Sequence, residues 1–423
     1  MSVPQLAVFY LVPGTLLLFF GAAAFTRPET RINLLLLAFS VGAALLFSEF
    51  LLSLRPPPEE WPGVIAARNS PDPRSRLEVV RDLRAAGTLA NPEYSPWLLR
   101  DHAMSMGEEV VTAIAPSPSH SIVVSCNEGK GWLTYETDEY GFRSRPGHEG
   151  QGPTDVALIG DSFTFGECVD EDETLAGRLR SRWPATRNLG VSGSGPLHQL
   201  AVLREYGSVL QPRVVVWMYY EENDLSDLQD ELASPLLSKY MEPGYRVGLP
   251  EKQEAVDSWL IGHLDSEFEK ALARADSGAV EVRGGVSLRD ILKLTQLRQV
   301  TGFPVHFPEP DPVGMLPEVL RVGRDLVEGW GGDIVLVYMP AYPSFQFLGS
   351  EFRAVRSAVL SAAETLGILS LDLHSSFLSA VRDPRELWVH PSGHLNPRGY
   401  SIAADAIGSS IAPLLAQGEG GSP

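Results

Sequence analysis

The chain has 423 residues, 44% hydrophobic and 21% charged, a balance that argues for globular structure and against disorder. Its formal net charge of -19 argues against a nucleic-acid partner, which needs a cationic surface, and is read as a solubilising acidic shell. The two cysteines, Cys126 and Cys168, form no CxxC pattern, so a cysteine zinc site is not expected. They either pair in an oxidising compartment or remain separate buried thiols.

The first predicted element is "LAVFYLVPGTLLLFFGAAAF", Leu6 to Phe25, which carries no charge. As a helix it would span about 30 Å, the hydrocarbon thickness of a bilayer. Pro13-Gly14 would break a soluble helix but is tolerated in a membrane one. Ala22 to Ala24 resemble a cleavage site, yet "MSVPQ" lacks the basic start of a signal peptide. After "TRPETR" a second apolar run extends from Ile32 past Glu49 to Leu54, with Glu49 near the far end where a carboxylate reaches the interface. Residues 1–55 are therefore expected to form a two-helix transmembrane hairpin in a lipid bilayer. Arg27 and Arg31 favour a cytoplasmic loop and an extracytoplasmic remainder, although Arg55 and Arg68 nearly balance them.

Residues 56–130 read as a linker and N-terminal extension, beginning with the stiff spacer "RPPPEEWPG". "TYETDEYGFRSRP" predicts a strand and turn leading into the main domain. From Val156 apolar strands alternate with amphipathic helices. Strands "VALIG", "TRNLGV", "VVVWMYY", "DIVLVYMP" and "ILSLDL" are separated by helical "ETLAGRLRSRW", "LHQLAVLREYG", "PEVLRVGRDLVEGW" and "SEFRAVRSAVLSAAETLG". "PRGYSIAADAIGSSIAPLL" closes the series. The pattern predicts an α/β fold, a three-layer α/β/α doubly wound parallel sheet over about residues 131–415. The stretch 225–312 is too long for a loop and is expected to be an inserted helical cap, with helices at "AVDSWLIGHLDSEFEKALARA" and "SLRDILKLTQLRQV". Residues 416–423 read as a frayed tail.

Ligands of such folds bind outside the carboxyl ends of the strands, and four unusual clusters fall there. They are Gly160-Asp161-Ser162; "NLGVSGSGP", Asn188 to Pro196; "YYEENDLSD" with Asn223-Asp224; and "HPSGHLNPRGY", His390 to Tyr400. A serine hydroxyl needs a neighbouring base to become a nucleophile, and histidine titrates near neutrality. A tetrahedral intermediate's oxygen needs fixed donors, which a closely approaching glycine backbone and an asparagine amide supply.

The order and content of these clusters resemble the SGNH hydrolases, also called the GDSL esterase family, over roughly residues 130–415. "DEYGFR", "GDSFTFGECVDEDETL" and "NLGVSGSGPLHQL" are similar to its exported or membrane-tethered bacterial branch. The resemblance implies a flavodoxin-like fold, Ser162 as nucleophile, His394 as base, and an oxyanion hole from the Ser162 amide, Gly193 and Asn223. It implies a serine hydrolase that uses no cofactor or metal and acts on ester-bearing small molecules or O-acylated glycans, possessing an acyl-serine that either water or a sugar hydroxyl releases. The family's aspartate before the histidine is missing, because Ser392 and Pro391 stand there. Another group serves, Asp372 and His390 being candidates, or Ser162 and His394 work as a dyad; a degenerate glycan-binding module is the non-enzymatic alternative. Glu221 replaces a glycine two residues before Asn223 and would narrow the pocket or add a carboxylate. Phe163 replaces leucine as a packing change, and Asp161 is expected to fix the turn. His390 and His394 are separated by Pro391 and Gly393, which precludes a helical zinc face.

Overall fold

A computed structural model describes residues 21, 25–53, 71–94, 104–106, 109–111, 114–127, 131–144, 153–276, 291, 294, 312–345, 350–389 and 393–417. The N-terminal unit shows helix α1, Pro28–Ser53, with apolar side chains on every side; Ile32, Leu36, Phe39 and Phe47 are exposed. Its segment Pro28–Leu52, of mean hydropathy 2.2, is long and apolar enough to cross a membrane. The earlier apolar run lies, but for Gly21 and Phe25, outside the described residues, so the expected hairpin is represented by one helix. Glu49, placed by its position at an accessible end, is instead fully buried.

The second unit begins with α2, Arg76–Ala85, closed by a capping box in which Ser75 and Glu78 satisfy each other's amides. Short strands follow: β1 Ala90–Pro92, β2 Met104–Met106, β3 Glu109–Val111, β4 Ile122–Val124, β5 Thr134–Thr137 and β6 Arg143–Ser144. β2 and β3 pair with each other, while the others form a sheet of order β1-β4-β5-β6, parallel at β1-β4 and antiparallel thereafter. Between β5 and β6, Asp138 Oδ1 accepts the Tyr140 and Phe142 amides at 2.9 and 3.0 Å. Gly141 turns there at φ 88°, and a Cβ would collide with the Ser117 carbonyl. This tight turn aims Arg143 into the main domain.

The central sheet consists of β7 Val156–Ile159, β8 Thr186–Asn188, β9 Val214–Tyr220, β10 Asp333–Met339 and β11 Leu369–Asp372, all parallel, in the order β11-β10-β9-β7-β8. The helices around it are α3 Ser162–Phe165, α4 Leu175–Leu179, α5 Pro196–Val202, α6 Asp224–Leu232, α7 Gln253–Asp276, α8 Pro312–Gly329, α9 Ser350–Thr365, α10 Leu373–Ala380 and α11 Pro397–Gln417. Alternate strand residues feed two cores. Ile159, Val215, Trp217, Leu336 and Tyr338 pack with Leu200 of α5, Val319 of α8 and Val359 of α9. Leu158, Val216, Met218 and Val337 pack with Leu179 of α4, Phe377 of α10 and Tyr400 of α11. Burial on both faces makes the inner strands β7, β9 and β10 nearly continuous apolar runs and gives the three layers, while the edge strands β8 and β11 are more polar.

Beyond α5 the helix widens into a π-turn, Leu203–Gly207, that turns Glu205 inward. Its carboxylate accepts the Val247, Gly248 and Leu249 amides and the Tyr240 hydroxyl, anchoring the inserted segment. Within the insertion α7 leans on the extension through Ser119–Asp257 hydrogen bonds, an Arg84–Asp265 ion pair at 2.9 Å, and Phe268 against Val79, Val80 and Val124. The cap helix expected at residues 287–300 lies outside the described residues apart from Ile291 and Leu294.

Cys126 and Cys168 are joined in a disulfide with Cα atoms 5.7 Å apart, closing a sequence separation of 42. In the chain-entropy picture a loop of that length contributes about 4 kcal/mol. Replacing both cysteines by alanine should lower the denaturant midpoint accordingly; a double variant with the wild-type midpoint contradicts this.

Candidate active site

β7 ends in a turn that only glycine can make. Gly160 has φ 152°, and a Cβ there would overlap the Thr164 side chain and approach Met218 Cβ at 2.8 Å. Asp161 then caps α3, accepting the Phe163 amide at 3.0 Å, so Ser162 opens the helix at the carboxyl end of the strand. The second cluster is tied to the same turn: the Gly160 carbonyl accepts the Val191 amide at 2.9 Å and the Ser194 hydroxyl at 3.2 Å. Gly193 takes φ 79° inside a turn closed by Ser194 N donating to Val191 O at 3.1 Å. Asn223 precedes α6 after β9, and its side-chain oxygen is buried with no hydrogen-bond partner among the described residues. Because β8 and β9 flank β7, Gly193 and Asn223 follow the strands on either side of the one that carries Ser162.

His394 arrives from the far end of the chain. Its Nε2 lies 2.8 Å from Ser162 Oγ, across 232 residues. The loop that carries it is fixed on both sides: Val389 N donates to His394 O at 3.0 Å and Asn396 N to Leu387 O at 2.8 Å. Asn396 Oδ1 accepts the Arg398 and Gly399 amides and so starts α11. Phe163 is more than filler, because its ring packs 4.9 Å from the imidazole and 4.1 Å from Tyr220. Burial pushes His394 down to about 4, although nearby Glu93 and Glu222 pull it upward. The ring is therefore neutral at physiological pH and able to accept the serine proton. Its side chain keeps 22% exposure, which leaves an edge within reach of a substrate.

The other expected partners fall elsewhere. Asp372 caps α10 through the His374 amide at 3.0 Å and faces Arg356 at 4.0 Å. No bond joins it to His394 among the described residues, because helix capping already occupies its carboxylate. His390, Pro391 and Ser392 lie outside the described residues. Asp161 is buried and pushed up to about 7 by desolvation, with Asp227 and Glu167 adding to the rise, and its observed contact is the turn-forming one. Glu221 accepts the Tyr338 hydroxyl at 2.6 Å, the Ala341 amide at 2.8 Å and the Ser344 hydroxyl, so it braces the loop after β10.

Sequence reasoning missed several residues. Glu231 accepts the Gly195 and Leu197 amides at 2.6 and 2.9 Å, capping α5 beneath the second cluster, and burial pushes it up to about 8. Glu167, five residues after the serine in "GDSFTFGE", sets Oε2 3.4 Å from His394 Nε2 and accepts the Ser192 hydroxyl at 3.0 Å. Arg143 from β6 clamps that loop by donating to the Gly166 and Val169 carbonyls at 2.6 and 2.7 Å. Glu93, just after β1, is bonded by the Ser125 hydroxyl. Only the acid-rich run after "GDSF" hinted at any of these.

A neutral imidazole in contact with a serine hydroxyl is placed to accept its proton. Since its folded value is depressed below the ordinary 6.5, base function is present above the folded value and lost as pH falls. The acid limb of kcat/KM for a simple ester should therefore lie below pH 6.5. A limb above it contradicts a neutral buried His394.

No family model matches the sequence, and no curated protein does. Solved structures that the chain is similar to include a member of the lipolytic G-D-S-L family from Veillonella parvula, 11% identical over 62% of this chain and 98% of that one, TM-score 0.35. A lipase/acylhydrolase from Enterococcus faecalis is 12% identical over 61% and 95%, TM-score 0.34. A catalytic mutant of an acetylxylan esterase from Geobacillus stearothermophilus is 14% identical over 62% and 96%, TM-score 0.33.

Proposed function

We propose that the chain is a serine esterase of the SGNH type, and the observation that carries this reading is the 2.8 Å contact between His394 Nε2 and Ser162 Oγ. As Oγ attacks an ester carbonyl, its proton passes to Nε2 and the carbonyl electrons move to oxygen. That oxyanion is received by the Ser162 and Gly193 amides and the Asn223 side chain. Collapse expels the alcohol, which takes the proton from His394, and leaves an acyl group on Ser162. Water, deprotonated by the same imidazole, then releases the acid. The intact base-nucleophile pair favours this over a degenerate glycan-binding module.

O-acyl esters of glycans, O-acetyl esters foremost, are the proposed substrates; delivery of the acyl group to a sugar hydroxyl would make the same site an O-acyltransferase. The apolar surface of α1 supports a membrane tether, with Leu6 to Phe25 as a second span. The Cys126–Cys168 disulfide supports an extracytoplasmic domain, because such bonds persist in oxidising compartments.

Ser162→Ala should abolish turnover of a short-chain nitrophenyl ester, and Asn223→Ala should lower kcat about 10²–10³-fold. Comparing acetate release with transfer to a glycan acceptor separates hydrolase from transferase. Undiminished turnover in Ser162→Ala would sink the reading.

A further inference from the structure

Glu167 lies beside His394, and Glu93, from a different part of the fold, lies on the segment that the disulfide ties to the Glu167 loop. Glu167 lies on the loop after α3, with Oε2 3.4 Å from Nε2. Among the described residues it is the one carboxylate within ion-pair distance of that ring. Its loop is held three ways: Arg143 binds the carbonyls on both sides, the neighbouring Cys168 is bonded to Cys126, and Ser192 donates to the carboxylate. Glu93 sits at the end of β1, bonded by Ser125, the residue before Cys126. The disulfide thus ties the segment that holds Glu93 to the segment that carries Glu167.

Resting on the serine-esterase reading, we propose that Glu167 is the acidic partner of His394 in place of the missing aspartate. When Ser162 loses its proton to Nε2, the imidazolium forms directly beside Glu167. The carboxylate meets the ring at its reacting edge rather than from behind, so it stabilises the new charge while Phe163 and the backbone of the His394 loop fix the ring. Burial pushes both carboxyls up, Glu93 to about 7 with Glu167 contributing. Other groups that bear on the pair are Arg76 of α2, Arg143 of β6 and Asp161, while Glu222 acts on the imidazole.

The test is the pH profile of kcat and KM on a short-chain nitrophenyl ester in the full-length chain for Glu167→Gln, Glu167→Asp, Ser192→Ala, Glu93→Gln and Ser162→Ala, with melting curves for each. Glu167→Gln should lower kcat on the order of 10²-fold, less than the loss for an acid that fixes a tautomer, with KM within about twofold. Its acid limb should move to lower pH, because ionisation of Glu167 no longer shapes it. Glu167→Asp should recover part of the loss. Glu93→Gln should leave the limb below pH 6.5 in place, because Glu93, pushed up to about 7, is already mostly uncharged there. Wild-type kcat and limb in Glu167→Gln overturn the proposal, as does Glu167→Asp no better than Gln, while an inactive Ser162→Ala leaves the esterase reading intact. If Glu167→Gln melts early, Ser192→Ala decides: losing the hydroxyl that favours ionised Glu167 should move the limb up, and an unmoved limb overturns the pairing. Turnover that persists in Ser162→Ala removes the esterase reading and this proposal with it.

Discussion

A serine and an imidazole 232 residues apart meet at 2.8 Å, and the rest of the molecule is arranged around that closure. Neither residue has local means of finding the other. Ser162 is placed by the end of β7, and His394 by a loop pinned between Leu387 and the start of α11. Both hang from one parallel sheet whose two buried faces leave its strands no freedom to slide, since a slip of one residue would turn every apolar side chain to the wrong core. The order β8-β7-β9 adds the remaining geometry. It is the switch point of a doubly wound sheet, where successive connections leave in opposite directions and open a crevice.

A second brace comes from outside the sheet. Tyr135 packs edge-on against Phe165 at 5.2 Å, Arg143 reaches the carbonyls of the following loop, and the disulfide closes the same loop. The small N-terminal sheet thus supports the turn after Ser162 directly. Buried acids do comparable work throughout. Glu205, Glu221 and Glu231 each accept backbone amides from a loop or helix start, Glu205 and Glu221 adding hydroxyl donors. An acidic chain here uses carboxylates as backbone anchors, where several N–H donors offset the cost of desolvation.

The main sheet was legible because β7, β9 and β10 are runs of four to seven mostly apolar residues and β7, β8 and β9 lead into chemical clusters. Of the small sheet, β5 and its turn were legible in "TYETDEYGFRSRP", whereas β1 and β4 were not, because three residues carry too little pattern to read. Helix α5 was legible, but its π-turn was not, since the reason lies in amides some forty residues downstream of Glu205. Among site residues, the motif pointed to Ser162 and His394 as a pair that meets. Asp372 had a plausible strand-end position and was claimed by a helix cap. Glu167 had no sequence neighbour to betray it, because its partners, Ser192 and His394, are brought there only by the fold.

The central claim is that His394 activates Ser162 for attack on an acyl carbon. The most direct measurement is intact and peptide mass spectrometry after mixing the protein with an activated acetyl ester and quenching early. The account predicts one acetyl group on the peptide that contains Ser162 in the wild-type chain, and its loss in His394→Ala. An acetyl adduct that forms equally fast in His394→Ala, or that sits on another residue, would contradict it.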